Sequence, residues 1–110
     1  MAYDEALADR IRYLLAGEPV VEKKMFGGLA FLLQGNMSVA ASGNGGLMVR
    51  IDPADTEQLL AEPGAQEFDM GGRGPMKGWL QISAEALDDD ATLTAWVERG
   101  VSYAQSLPAK

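Results

Sequence analysis

The chain contains no cysteine and no histidine. A disulfide, a thiolate nucleophile, a Ser-His-Asp triad and a zinc site built from sulfur or imidazole are therefore impossible within one copy. Any metal would need oxygen ligands. Any acid–base chemistry would fall to carboxylates, lysines or tyrosines. There is also no run of about 18 apolar residues, the length needed to span a membrane. The first residues, Met1-Ala2-Tyr3-Asp4-Glu5, are acidic and lack the basic-then-apolar order of a signal peptide. A cytoplasmic location and no membrane partner are expected. Basic charge is scarce, with nine Lys and Arg against 16 Asp and Glu, for a formal net charge of −7. Direct nucleic-acid binding is not expected of such a balance, because phosphate attracts a cationic field.

Acid is itself missing from two stretches. Residues 23–51 hold Lys23, Lys24 and Arg50 and no carboxylate, and residues 70–84 hold Arg73 and Lys77 and no carboxylate. Apolar residues make up 47% of a 110-residue chain, enough for one domain over residues 1–110 with its own core.

The periodicity predicts a helix over residues 3–16. Tyr3, Leu7, Ile11, Leu14 and Leu15 form one apolar stripe, Asp4 and Glu5 suit the positive end of its dipole, and Gly17 and Pro19 end it. One strand is expected over 23–33, kinked or bulged at Gly27-Gly28. Gly35-Asn36 then turns the chain into a strand over 37–42, in which Met37, Val39 and Ala41 share a face. Gly43-Asn44-Gly45-Gly46 reads as a hairpin into a strand over 47–51. Asp52-Pro53 caps and opens a second helix with an inner stripe of Thr56, Leu59 and Leu60. A short strand over 66–70, a loop at residues 71–75 and a strand over 77–83 follow. A last helix after Asp88-Asp89-Asp90 buries Leu93, Trp96, Val97, Val101 and Ala104. The order is α-β-β-β-α-β-β-α. Helices with one apolar stripe each can cover one side of an antiparallel sheet of about five strands, an α+β domain in two layers.

Five features bear on function. Lys23, Lys24, Arg50, Arg73 and Lys77 make a candidate basic binding patch, set against the plainer reading of solvated surface cations. Trp79, beside Gly78 and sharing strand parity with Lys77, is a candidate stacking platform. The favoured reading packs it beneath the last helix against Trp96, although parity sets it opposite Leu80 and Ile82. The glycine loops at 43–46 and 71–74 match no phosphate-binding fingerprint and are read as turns. Asp88-Asp89-Asp90 is read as a helix start rather than a cation site. Glu67 and Asp69 share a strand face, but no polar shell supports them as a hydrolytic pair. Met25, Met37, Met48, Met70 and Met76 lie in or beside strands, where methionine serves cores and adaptable contact surfaces alike.

Four segments in order, Lys23-Lys24-Met25-Phe26-Gly27-Gly28, Leu47-Met48-Val49-Arg50-Ile51, Pro75-Met76-Lys77-Gly78-Trp79 and Leu93-x-x-Trp96-Val97, resemble the N-terminal domain of the TfoX/Sxy family. The resemblance implies an α+β fold and a link to bacterial competence and transcriptional regulation, with no catalytic residues to carry over. Regulators of that family often carry a second, C-terminal domain, so a stand-alone N-terminal domain is expected here. The expected role is a non-catalytic interaction module without cofactor or metal. Its expected partner is another protein, a second copy of the chain included. The alternative is a binding domain or enzyme for a small anionic, phosphate-containing ligand.

Overall fold

The structure, a computed structural model, describes residues 4–25, 27–43, 45–69 and 75–108; at 25, 68–69 and 75–77 it describes the backbone alone. Helix α1 spans Glu5–Leu14. Its start is fixed by Asp4, whose carboxylate accepts from the backbone N–H groups of Ala6 and Leu7 at 2.9 and 3.3 Å. Leu7, Ile11 and Leu15 of the expected stripe are buried, together with Ala8, and Leu14 is half-buried. Tyr3 lies outside the described residues.

The stretch expected to be one kinked strand is two strands. β1 spans Val20–Met25 and β2 spans Gly28–Leu33, paired antiparallel from Val20↔Leu33 to Met25↔Gly28. Gly27, at φ 73°, turns the chain between them. A bend in one strand and a tight hairpin use the same glycines, and the long-range pairing decides between them.

β3, Asn36–Ala41, pairs with β2, and β4, Leu47–Arg50, pairs with β3. Register shifts between Phe31 and Leu32: Phe31 faces Val39 while Leu32 faces Met37, so Ser38 is the extra residue of a bulge. The hydroxyl of Ser38 donates to the Phe31 carbonyl at 2.8 Å and holds the bulge. The bulge corrects one expectation. Val39 and Ala41 share the core face, but Met37 is displaced to the other one.

Asp52 accepts from the Ala54 N–H at 3.0 Å and caps a 3₁₀ turn at Pro53–Asp55, which leads into the short helix α2, Thr56–Leu60. β5, Ala65–Asp69, and β6, Pro75–Ile82, pair with each other, and β6 also pairs with β4. The result is one antiparallel six-stranded sheet in the order β1-β2-β3-β4-β6-β5, where five strands were expected. Helix α3, Asp90–Ser106, closes the fold.

The core lies between the helices and one sheet face. Phe31, Val39, Leu47, Val49, Leu80 and Ile82 from the strands meet Ile11 of α1 and Leu93, Trp96 and Val97 of α3. Each such buried side chain contributes roughly 1.5–3 kcal/mol. Leu59 and Leu60 of α2 pack on the same cluster, so the three helices share one side. Helix α3 approaches β3 closely at Gly100: a Cβ there would sit 2.5 Å from the Ser38 carbonyl oxygen and 2.7 Å from Val39 Cγ1. Arg10 joins α1 to the start of α3, its guanidinium donating to the Leu87 carbonyl and to Asp90, both at 2.7 Å.

Candidate functional site on the uncovered sheet face

Side chains of directly paired residues in antiparallel strands emerge on the same face. The face away from the helices therefore carries Val21 and Lys23 on β1, Ala30 and Leu32 on β2, Met37 and Ala40 on β3, Met48 and Arg50 on β4, and Trp79 and Gln81 on β6. Ala30, Ala40 and Met48 form a second, smaller apolar cluster, against which Leu32, Met37 and Trp79 pack while half-buried. Val21 is 65% exposed.

Trp79 belongs to this second cluster, not to the core under α3. The favoured reading from the sequence is thereby corrected: Leu80 and Ile82 take the core side, and strand alternation leaves Trp79 on the other. Only Trp96 is the core tryptophan.

Arg50 stands directly across from Trp79. Its guanidinium carbon is 5.7 Å from the centroid of the Trp79 ring and 5.8 Å from that of Tyr103 on α3. Both distances fall within cation–π range. As the last residue of β4, Arg50 links the uncovered face to the helix layer at the end of the sheet. Its guanidinium has no carboxylate partner and no hydrogen-bond acceptor among the described residues. The planar cation is held by rings while its donor fork remains open to solvent.

Of the other basic candidates, Lys23 and Lys24 are described with their side chains, and neither is gathered around it. Lys23 shares the face with Arg50, but β1 lies three strands away from β4, about 14 Å at ordinary strand spacing. Lys24 pairs with Leu29 and stands on the helix side of the edge strand, on the face opposite Arg50. Both lysines are exposed. Lys77 is described by its backbone alone, two residues before Trp79 on β6, and Arg73 lies outside the described residues, as does the loop at 71–74. The arrangement thus brings together Arg50 and Trp79, and adds Tyr103. The third partner was not legible in the sequence, because Tyr103 is half-buried at the border of the apolar stripe of α3 and its ring contact with Arg50 crosses between layers.

The carboxylates are placed differently. Among the described strand residues with described side chains, Glu22 pairs with Phe31 and Glu67 with Leu80, so both stand on the helix side. Glu22 accepts from Arg12 at 2.8 and 2.9 Å, and Arg12 also donates to Asp9 at 2.6 Å. The Arg12 hydrogen bonds hold the Glu22 carboxyl below the ordinary glutamate range, and donating to Glu22 and Asp9 raises Arg12 in turn. Of the acidic run, Asp89 accepts from the Thr92 hydroxyl at 2.8 Å and Asp90 pairs with Arg10, so these serve the start of α3. The Asp69 side chain is outside the description, and Glu67 is exposed.

A second feature lies on the helix side. An open groove of about 620 Å³ runs between the 3₁₀ turn with α2 and α3, lined among others by Asp52, Asp55, Gln58, Arg99 and Tyr103. Arg99 covers the Trp96 ring at 4.5 Å and approaches Glu62 at 3.7 Å, and its Nη1 is buried without a hydrogen-bond acceptor.

The sequence pattern of the TfoX N-terminal domain matches residues 12–104, which include every strand described above, α2 and nearly all of α3. The chain belongs to the TfoX N-terminal domain family. A comparison with curated protein sequences gives no match. In this TfoX N-terminal domain no described helix is long and apolar enough to cross a membrane.

Proposed function

We propose that this TfoX N-terminal domain is a non-catalytic interaction module of the cytoplasm, of the kind found in TfoX/Sxy competence regulators, and that it contacts another protein through the sheet face its helices leave bare. One observation carries the reading: that face joins a half-buried apolar cluster, Leu32, Met37 and Trp79, to an arginine with no carboxylate partner among the described residues. A surface that is apolar and cationic within a chain of net charge −7 is suited to a partner rather than to water. The partner on this reading is a different protein or a second copy of the chain, and membership of the family supports a link to transcription.

The test compares partner capture by the intact chain with capture by two charge variants that leave the core untouched. Val21→Glu alters the uncovered face, and Tyr13→Glu alters an 82%-exposed position on the helix side. Loss with the first and retention with the second is the expected pattern. Equal capture by both variants rejects the face as the contact surface.

The open donor fork of Arg50 also favours a second reading, a site for a small phosphate-containing anion. A ligand bound to the native state raises its melting temperature. A panel of inorganic phosphate and nucleotides that leaves the melting temperature unchanged at millimolar concentration eliminates this reading.

A further inference from the structure

Arg50 presents a combination that the fold alone does not require. Its charge is unneutralised among the described residues, yet its position is fixed by Trp79 on one strand and Tyr103 on α3. A guanidinium held in place loses little entropy when its fork closes on a carboxylate, and it pairs with that group in two parallel hydrogen bonds. Its neighbours on the uncovered face are apolar, with Met48 buried and Met37 and Trp79 half-buried, while Asp52 and Asp55 line the groove on the helix side that Tyr103 also borders. Met48 lies one step back on the same strand face, Trp79 lies across on β6, and Met37 stands at the start of neighbouring β3.

The charge pattern narrows the occupant. No described carboxylate stands on this face, since Glu22 and Glu67 both project on the helix side, while Lys23 and Arg50 supply positive charge at separated points. The two described cations, some three strands apart on a chain of net charge −7, favour a protein segment over a nucleic-acid backbone. They do match a linear segment with occasional acidic side chains between apolar ones. Methionine and tryptophan beside a cation are the residue types that accept such a segment.

We infer that the partner presents an acidic, extended protein segment, that Arg50 receives one of its carboxylates, and that the apolar side chain two residues along, on the same side of the segment, packs on the half-buried Met37 and Trp79. This rests on the interaction-module reading and names the chemistry of the partner. Trp79 and Tyr103 position the guanidinium, and Met37 adapts to the apolar side chain.

The experiment is a titration of the isotopically labelled full chain, followed by NMR at the Trp79 indole N–H and the Arg50 Nε–H. The probe is the capped pentapeptide Glu-Ser-Leu-Ser-Glu, which places its carboxylates and its leucine on one side when extended, and its glutamine counterpart is the neutral control. Saturable shifts at both signals are expected with the glutamate peptide, with binding weaker by about tenfold or more for the glutamine peptide. Arg50→Lys keeps the charge and most of the stem but lacks the fork, and about the same tenfold loss is expected there. Its spectrum reports directly whether the variant is folded. Equal titration by the two peptides, an unchanged affinity in Arg50→Lys, or no shift at millimolar peptide overturns the inference. So does an equal or stronger response of the same two signals to inorganic phosphate or to a short oligothymidylate, which would assign the fork to a phosphate. Capture that depends on Val21 with no response to the glutamate peptide removes this inference and leaves the interaction module standing.

Discussion

Arg50 on β4 and Trp79 on β6 are direct cross-strand neighbours, and the guanidinium carbon of the first lies 5.7 Å from the ring centroid of the second. The pairing makes a measurable coupling. Replacing Arg50 by Met, Trp79 by Leu, and both together completes a double-mutant cycle. The expected interaction energy is about 0.5–1 kcal/mol, the range for partly exposed cation–π pairs. Chemical denaturation of the four proteins measures it, and strictly additive losses would deny the contact any energetic role.

The close approach of α3 to β3 leads to a second prediction. Alanine at position 100 gains roughly 1 kcal/mol of helix propensity over glycine. Its Cβ, however, would lie 2.5 Å from the Ser38 carbonyl oxygen, a backbone atom of the bulge rather than the end of a flexible side chain. Overpacking of this kind costs about 1–3 kcal/mol. Gly100→Ala is expected to lower stability despite the better helix former, as read by the denaturation midpoint. A stabilised variant would mean that α3 shifts freely over the sheet.

Asn36 is buried at 1% exposure, and its Nδ2 donates to the Pro108 carbonyl at 2.9 Å, tying the end of α3 to the start of β3. Asn36→Ala removes this bond and leaves a small void. A loss of roughly 1–3 kcal/mol is expected. Amide exchange should accelerate first in the last turn of α3, around Tyr103 and Ala104. Uniform acceleration along the helix would contradict a local tether.

The Arg12–Glu22 pair sets a pH dependence. Glu22 titrates below the ordinary glutamate range in the folded chain, chiefly because Arg12 donates to it. Its contribution is therefore complete above about pH 4.3, the unfolded value, and is lost as pH falls through the lower folded midpoint. Both side chains are more than a third exposed, at 41% and 37%, so the contribution stays below about 1 kcal/mol. Carbon-detected titration should place the Glu22 midpoint below the ordinary glutamate value. In Arg12→Gln the difference should vanish, and a persistent gap in that variant would assign the shift to something else.

Legibility followed the range of the physical signal. The stripes of α1 and α3 stood out because 3.6-residue periodicity is local, and the sides taken by Leu80 and Ile82 follow from strand alternation alone. β1 was hidden because Val20-Val21-Glu22 is too short to show alternation, and Gly27 serves a kink or a hairpin equally well. The bulge at Ser38 depends on two residues facing one across a partner strand, which no single-strand pattern reveals. The same limit applied to the site. Arg50 and Trp79 were visible as residues, but their pairing depends on β4 lying beside β6, a neighbour out of chain order. The separation of Lys24 from Arg50 likewise came from the hairpin register and not from the shared absence of acid in residues 23–51.

The placement of Glu22 and Glu67 with the acid-bearing helices has a physical consequence beyond any single contact. It gives the described part of the molecule an electrical polarity perpendicular to its ribbon of strands. A negatively charged body diffusing nearby experiences a torque that turns the methionine-lined side toward it before the two surfaces touch. That orienting influence reaches about 8 Å in physiological salt and shrinks as ionic strength rises.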